Sequence, residues 1–277
     1  MERGGLVNGG RPPGPVAGLW RYRALIWQLA KRDVQGRYRG SALGMVWSLL
    51  TPILMATVYT VVFGVILKTR WSPERAEDPL EFVVILFAGL VAFAIFSESV
   101  TRAPGIIVAN PNYVKKVVFP IEVLPVVLLC TTVFHALMGM LVLLGASLAV
   151  FGAVPASALL VPVVLLPLCL MCLGFAWMLA ALGVFLRDIG HIVSIAVGVL
   201  MFLSPLFFPI TAIPERIRDL VYLNPVTIPV EQLSEVVIWG RMPDWPLLAA
   251  YTLVALVVLV LGYALFRFNK PAFADVL

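Results

Sequence analysis

His135 and His191 are the chain's two histidines, and Glu98, Glu122 and Asp188 are the carboxylates nearest them in apolar surroundings. General acid–base work needs such groups within hydrogen-bond reach of one another. Their scatter along the chain shows no such constellation. Cys130, Cys169 and Cys172 lie inside apolar runs without the His or carboxylate company of a metal site, so they read as packing residues. No GxxxxGK[ST] phosphate loop occurs, so ATP-driven work would need a separate partner. Glu98 and Arg102 stand four apart in the order that suits a helical ion pair. With Glu122 at the start of the next apolar run, they are expected to form an inner-face electrostatic cluster near Lys115 and Lys116. A proton-coupled carrier would carry several ionisable groups at mid-bilayer, each costing about 2.5–3.5 kcal/mol when charged. Only His135 qualifies, and it reads as a neutral histidine hydrogen-bonded to a neighbouring helix.

The elements that must position these groups are membrane helices. Of 277 residues, 61% are hydrophobic and 13% charged, with a mean hydropathy of +1.01, far above soluble domains. Residues 1–18 are Gly/Pro-rich and lack the pattern of a cleaved signal peptide, so the first span is expected to be retained. Runs long enough to cross a bilayer fall near 44–67, 82–100, 121–150, 156–186, 190–209 and 246–267. Pro120, Pro125, Pro162 and Pro167 are expected to kink the third and fourth. Six spans put both termini on one side. Placing that side in the cytoplasm puts 14 of 20 Lys/Arg inside, as the positive-inside rule favours. Lys68, Arg70 and Arg75 are then among the outer six. Trp71, Trp239 and Trp245 mark the outer interface and Trp47 the inner one.

Before the first span, Leu19, Tyr22, Leu25, Ile26, Leu29 and Ala30 share one helical face, opposite Arg21, Gln28, Lys31, Arg32 and Gln35. Arg23 and Asp33 break the pattern. This is the signature of an interfacial amphipathic helix over 19–40, or of a plain anchor. Gly36, Gly40 and Gly44 repeat every four residues, which permits either close helix approach or a hinge. Residues 207–245 are too charged to span and too apolar for a hydrated loop. Pro214 is suited to start a short helix, Asn224-Pro225 to break it, and Pro229 to start a second ending at Gly240. Two half-helices dipping into the outer leaflet, or a surface-lying hairpin, both fit. Between spans two and three, Pro104-Gly105, a short apolar helix at Ile106–Ala109 and an Asn110-Pro111 stop make a small projecting element.

Three stretches carry a family resemblance: RDVQGRYRGSALGMVWSLLTPI (32–53), KKVVFPIEVLP (115–125) and NPVTIPVEQLSEVVIWGRMPDW (224–245). Together with the span pattern they resemble the permease subunits of polysaccharide and polyol-phosphate ABC exporters. The resemblance implies an all-α integral membrane fold: a flexible tail at 1–18, the interfacial helix at 19–40, and a six-span domain at 41–277. It implies a coupling helix at 104–116 and re-entrant gate helices at 213–240, between spans five and six. It further implies a multi-pass homodimer in the bacterial inner membrane, with two copies of a nucleotide-binding ATPase that holds ATP and Mg, and no cofactor in this chain. The substrate would be a lipid-linked glycan such as O-antigen, capsule or teichoic acid. Under this reading Gly105, Ile106, Ile107, Val108, Asn110, Asn112, Lys115 and Lys116 meet the ATPase. Pro214, Asn224, Pro225, Pro229 and Glu231 belong to the outer gate. Many members carry a basic residue near the position of Ser234, and this chain does not. Glycans stack on aromatic rings, so Tyr59, Tyr251 and Tyr263 are channel candidates. Arg37, Tyr38, Arg39 and Trp47 are candidates where substrate enters, the arginines for its phosphates. A drug or small-lipid exporter, and a membrane enzyme acting on lipid-linked sugars, are the alternatives. The enzyme would need His191, Asp188 and Glu98 or Glu122 around one cavity.

Overall fold

Proline and glycine set most of the helix boundaries. The computed structural model describes residues 19–67, 79–114 and 119–276. The tail at 1–18, the segment with Lys68, Arg70, Trp71 and Arg75, and Lys115 and Lys116 lie outside the described residues. Helices α1 (Arg23–Tyr38), α2 (Trp47–Tyr59) and α3 (Pro79–Arg102) are followed by the single turn α4 (Pro111–Val114). Next come α5 (Val123–Phe151), α6 (Val161–Phe185), α7 (Ile189–Phe202), α8 (Glu215–Tyr222), α9 (Thr227–Val237), α10 (Trp245–Asn269) and the turn α11 (Phe273–Val276). No strand occurs among the described residues.

Five segments are long and apolar enough to cross a membrane: Gly44–Ile66, Leu80–Gly105, Val123–Phe151, Ala156–Phe185 and Trp245–Val276. They match the first, second, third, fourth and sixth expected runs. The fifth run forms the 14-residue α7, about 21 Å long at 1.5 Å per residue, against an apolar thickness of about 30 Å. Ser204-Pro205 ends it, because a proline disfavours helical backbone in the residue before it. Residues 203–209 are irregular, and a 3-10 turn at Ile210–Ala212 follows before Pro214.

Of the four expected kink prolines, only Pro167 is interior. Pro120 precedes α5, while Pro125 and Pro162 sit in first turns. There the backbone N–H would lack a partner in any case, so no ladder bond is lost.

The second span is central: 72% of its most apolar window is buried, against 6% for the first span. α3 packs on α5, α6, α7 and α9, and α10 lies along α6. That last contact is backbone on backbone. A Cβ on Gly262 would collide with the Gly174 carbonyl, and one on Gly174 would lie 2.6 Å from the Val258 carbonyl. Gly36, Gly40 and Gly44 have nothing within 4 Å of an added Cβ, whereas Gly40 and Gly44 take φ of +84° and +51°. Gly40 and Gly44 thus make the turn between α1 and α2 that positive φ allows, and the close approach of two helices is at Gly174 and Gly262.

Candidate functional site: an ion-paired mouth and two flanking segments

Glu98 sits near the end of α3, four residues before Arg102, so one helical turn brings both to the same face. Its Oε1 accepts from Arg102 at 3.1 Å and from Arg37 of α1 at 2.5 Å. Its Oε2 lies 3.0 Å from Nδ1 of His135, on α5. Arg102 also donates to Asp33 of α1 at 2.9 Å. Two carboxylates and two guanidiniums thus tie α1 to α3, and His135 adds α5. With Nδ1–H given to the carboxylate, His135 leaves Nε2 buried without a partner.

The carboxylate of Glu98 opens onto a cavity of about 410 Å³, lined also by Arg37, Tyr38, Tyr59, Ser97 and His135. Tyr38 meets the edge of the His135 ring at 6.1 Å. Arg37, Tyr38 and Tyr59 therefore converge on one chamber. Arg39 lies exposed just past the end of α1, and Trp47 starts α2; neither lines the chamber.

The other two tyrosines lie elsewhere. Tyr251 is buried, its hydroxyl donating to the Pro225 carbonyl at 2.7 Å. Tyr263 crosses the ring of Trp177 at 5.0 Å, on the side of α10 that faces α1 and α6. Glu122 is separate from the Glu98 cluster: it accepts from Lys270 at 2.6 Å, and its carbonyl accepts from the Trp177 indole at 3.1 Å. No ion pair or hydrogen bond among the described residues joins His191 or Asp188 to Glu98 or Glu122. The enzyme constellation is not assembled.

Beyond Arg102 the chain makes a 3-10 turn, Ala103–Gly105, with Ala103 and Pro104 buried. A Cβ on Gly183 of α6 would collide with the Pro104 carbonyl, so this turn is seated on the end of α6. The short helix expected at 106–109 is a pair of tight turns, with Ala109 bonded to Gly105 and Asn110 to Ile107. Asn110-Pro111 opens a helical turn rather than closing one, because proline suits the first helical position. Ile107 is fully buried, while Gly105, Val108 and Asn112 are exposed. Beside this segment is a cavity of about 820 Å³ whose polar lining includes Arg32, Asp33, Arg102, Asn110 and Arg187. Arg32 donates to the Tyr113 hydroxyl at 2.7 Å.

Between α7 and α10, Pro214 precedes α8 and the chain breaks at Leu223–Val226. The Asn224 amide donates to the Leu200 carbonyl at 3.0 Å and the Ser204 hydroxyl at 2.9 Å, and its Oδ1 accepts from Val226. Pro229 falls in the first turn of α9, which is buried along Val230, Gln232, Leu233, Ser234 and Val236 and packs on α3 and α6. Gly240, at φ +67°, lets the chain turn toward α10. Glu231 is raised to about 7, chiefly by burial and further by Glu235, against a hydrogen bond from Tyr222.

Asp33 of the Glu98 cluster and Lys270, the partner of Glu122, were not among the residues the sequence singles out for these ion pairs. The signal for Asp33 was its break in an otherwise amphipathic pattern. Lys270 had none.

Comparison with known proteins follows the same outline. Residues 24–238 match a family described as ABC-2 type transporter. The O-antigen export system permease protein RfbA of Myxococcus xanthus is 30% identical over 263 residues, covering 94% of this chain and 98% of that protein. A protein of the same description from Klebsiella pneumoniae is 24% identical over 91% of this chain and 95% of its own length. The polysialic acid transport protein KpsM of Escherichia coli is 27% identical over 90% and 95%.

Proposed function

The chain belongs to the ABC-2 type transporter family, and from that premise we propose that it is the membrane subunit of an ATP-driven exporter of polysaccharide. The observation that carries this reading is near full-length similarity to export permeases, 94% of this chain at 30% identity. The substrate is a lipid-linked glycan or teichoic acid, moved from the cytoplasm to the outer face of a bacterial inner membrane. Two copies of the chain work with two copies of a separate ATPase that holds ATP and Mg.

The geometry fits this role. The chamber at Arg37 offers a guanidinium, a tyrosine pair and small hydroxyl groups, which suits a phosphate followed by sugar rings. A phosphate arriving there competes with Glu98 for Arg37. Residues 104–116 dock on the ATPase; support comes from the exposed Val108 and Asn112 on a turn seated against α6. Both termini are cytoplasmic, α1 lies on that surface, and α7 with the irregular chain after it supplies the fifth crossing. The segment 213–240 is a re-entrant outer gate, a reading supported by the burial of α9 between α3 and α6.

The test reconstitutes the chain with a cognate ATPase and follows lipid-linked glycan to the opposite leaflet. Movement should require both subunits and ATP. Movement by this chain alone would overturn the proposal.

A further inference from the structure

Arg23, like Asp33, falls on the apolar face of α1, and neither the ion-paired mouth nor the coupling segment uses it. It lines a third cavity, about 950 Å³, between α1, α5, α6 and α10. The wall is apolar: Leu170 and Leu173 of α6, Leu259 and Val260 of α10, and the rings of Trp27 and Trp177. The cations on it are Arg23 and Arg267. Arg267 lies in the last turn of α10, about two turns beyond the Leu259–Val260 wall. Each guanidinium lies over a ring of its own segment, Arg23 at 5.3 Å from Trp20 and Arg267 at 5.9 Å from Tyr263. The ion pairs among the described residues leave both out. Trp20 and Trp27, 70% and 72% exposed, stand at the rim as interfacial aromatics do.

Arg23 also donates to the Trp20 carbonyl at 3.2 Å. A trough that is apolar along its length and carries two cations outside every ion pair among the described residues matches a molecule with an apolar chain and one anionic head. We propose that this crevice binds an anionic phospholipid, its phosphate between Arg23 and Arg267 and an acyl chain against α6 and α10. Guanidinium forks suit phosphate oxygens, and the apolar wall suits hydrocarbon better than a polar peptide. The same α1 carries Arg37 into the Glu98 cluster, so a lipid here fixes the helix that guards the mouth. This inference does not rest on the transported substrate.

The experiment reconstitutes the full chain in phosphatidylcholine vesicles containing brominated phosphatidylglycerol or brominated phosphatidylcholine, and reads quenching of tryptophan fluorescence. Brominated phosphatidylglycerol should quench at about 25-fold lower mole fraction than brominated phosphatidylcholine, about fivefold for each of the two cations. The R23Q/R267Q variant should lose that advantage, and so should a W20F/W27F/W177F variant, which removes every tryptophan lining the crevice. Ala264→Leu, which fills the crevice and keeps both arginines, should also reduce quenching. Equal quenching by the two lipids would overturn the proposal, as would an advantage that survives any of these variants. Displacement of the brominated lipid by polyprenyl phosphate more readily than by unlabelled phosphatidylglycerol would assign the crevice to a lipid-linked substrate and overturn it as well.

Discussion

Glu98 is the residue on which the mouth depends, because two oxygens serve Arg37, Arg102 and His135. Its side chain is 18% exposed, against 51% for Arg37. Removing the buried partner takes the acceptor from Arg37 and His135 and leaves Arg102 only Asp33, whereas removing the exposed one leaves Glu98 two partners. Glu98→Gln should therefore cost about 2–3 kcal/mol and Arg37→Gln under about 1 kcal/mol, as read by unfolding in mixed detergent. Export should show the reverse emphasis for Arg37→Gln, a large loss of rate with little loss of stability. Glu231 makes a pH-dependent contribution. Its folded carboxyl is raised to about 7, so the folded state holds the proton more tightly. The stability this gives is complete below the ordinary glutamate value and lost as pH rises through about 7. Thermal melting should weaken across that window, and Glu231→Gln should flatten the slope. Of the cluster, Glu98–Arg102 was legible in the sequence because one helical turn joins them. Arg37–Glu98 and Arg102–Asp33 were not, since residues about sixty to seventy apart meet only when α1 folds back across α5.

At the scale of elements, the contacts that matter are those where backbone meets backbone. Gly262→Val should force α10 off α6 at a cost of about 3 kcal/mol or more, since overpacking a well-filled contact costs about 1–3 kcal/mol even where side chains can give. Gly36→Ala should do the opposite. Gly36 lies inside α1 with open space around it, so alanine should stabilise by about 0.5–1 kcal/mol through helix propensity alone. The pair, measured by the same unfolding assay, separates packing from propensity. The segment before α10 was read correctly as two helices with a break at Asn224-Pro225, because proline restricts backbone whatever surrounds it. What pins the break was invisible: Ser204 and Leu200 at the end of α7, and Tyr251 of α10. Tyr251→Phe removes the hydroxyl that reaches the Pro225 carbonyl and should cost about 1 kcal/mol.

At the scale of the molecule, charge and hydrophobicity set the plan. With both ends proposed as cytoplasmic, a fluorescent protein fused to the C-terminus should glow in cells, and alkaline phosphatase fused there should be inactive. The converse pattern would reverse the topology. From sequence alone came the helical membrane architecture, the positions of five long spans, the segmented loop before α10 and the family. Each follows from a local property, namely apolar run length, proline and glycine placement, or motif. The tertiary structure alone decided that the fifth run is a short helix, that α3 is the core of the bundle, and that Gly174 and Gly262, not the Gly36–Gly44 series, are the close-approach glycines. It also separated Tyr59, Tyr251 and Tyr263 into three environments, and gave Asp33 and Arg23 their surroundings. The physical reason is common to all of these. Spacing along a helix says which residues share a face, but which face meets which neighbour is fixed only when all the helices pack at once.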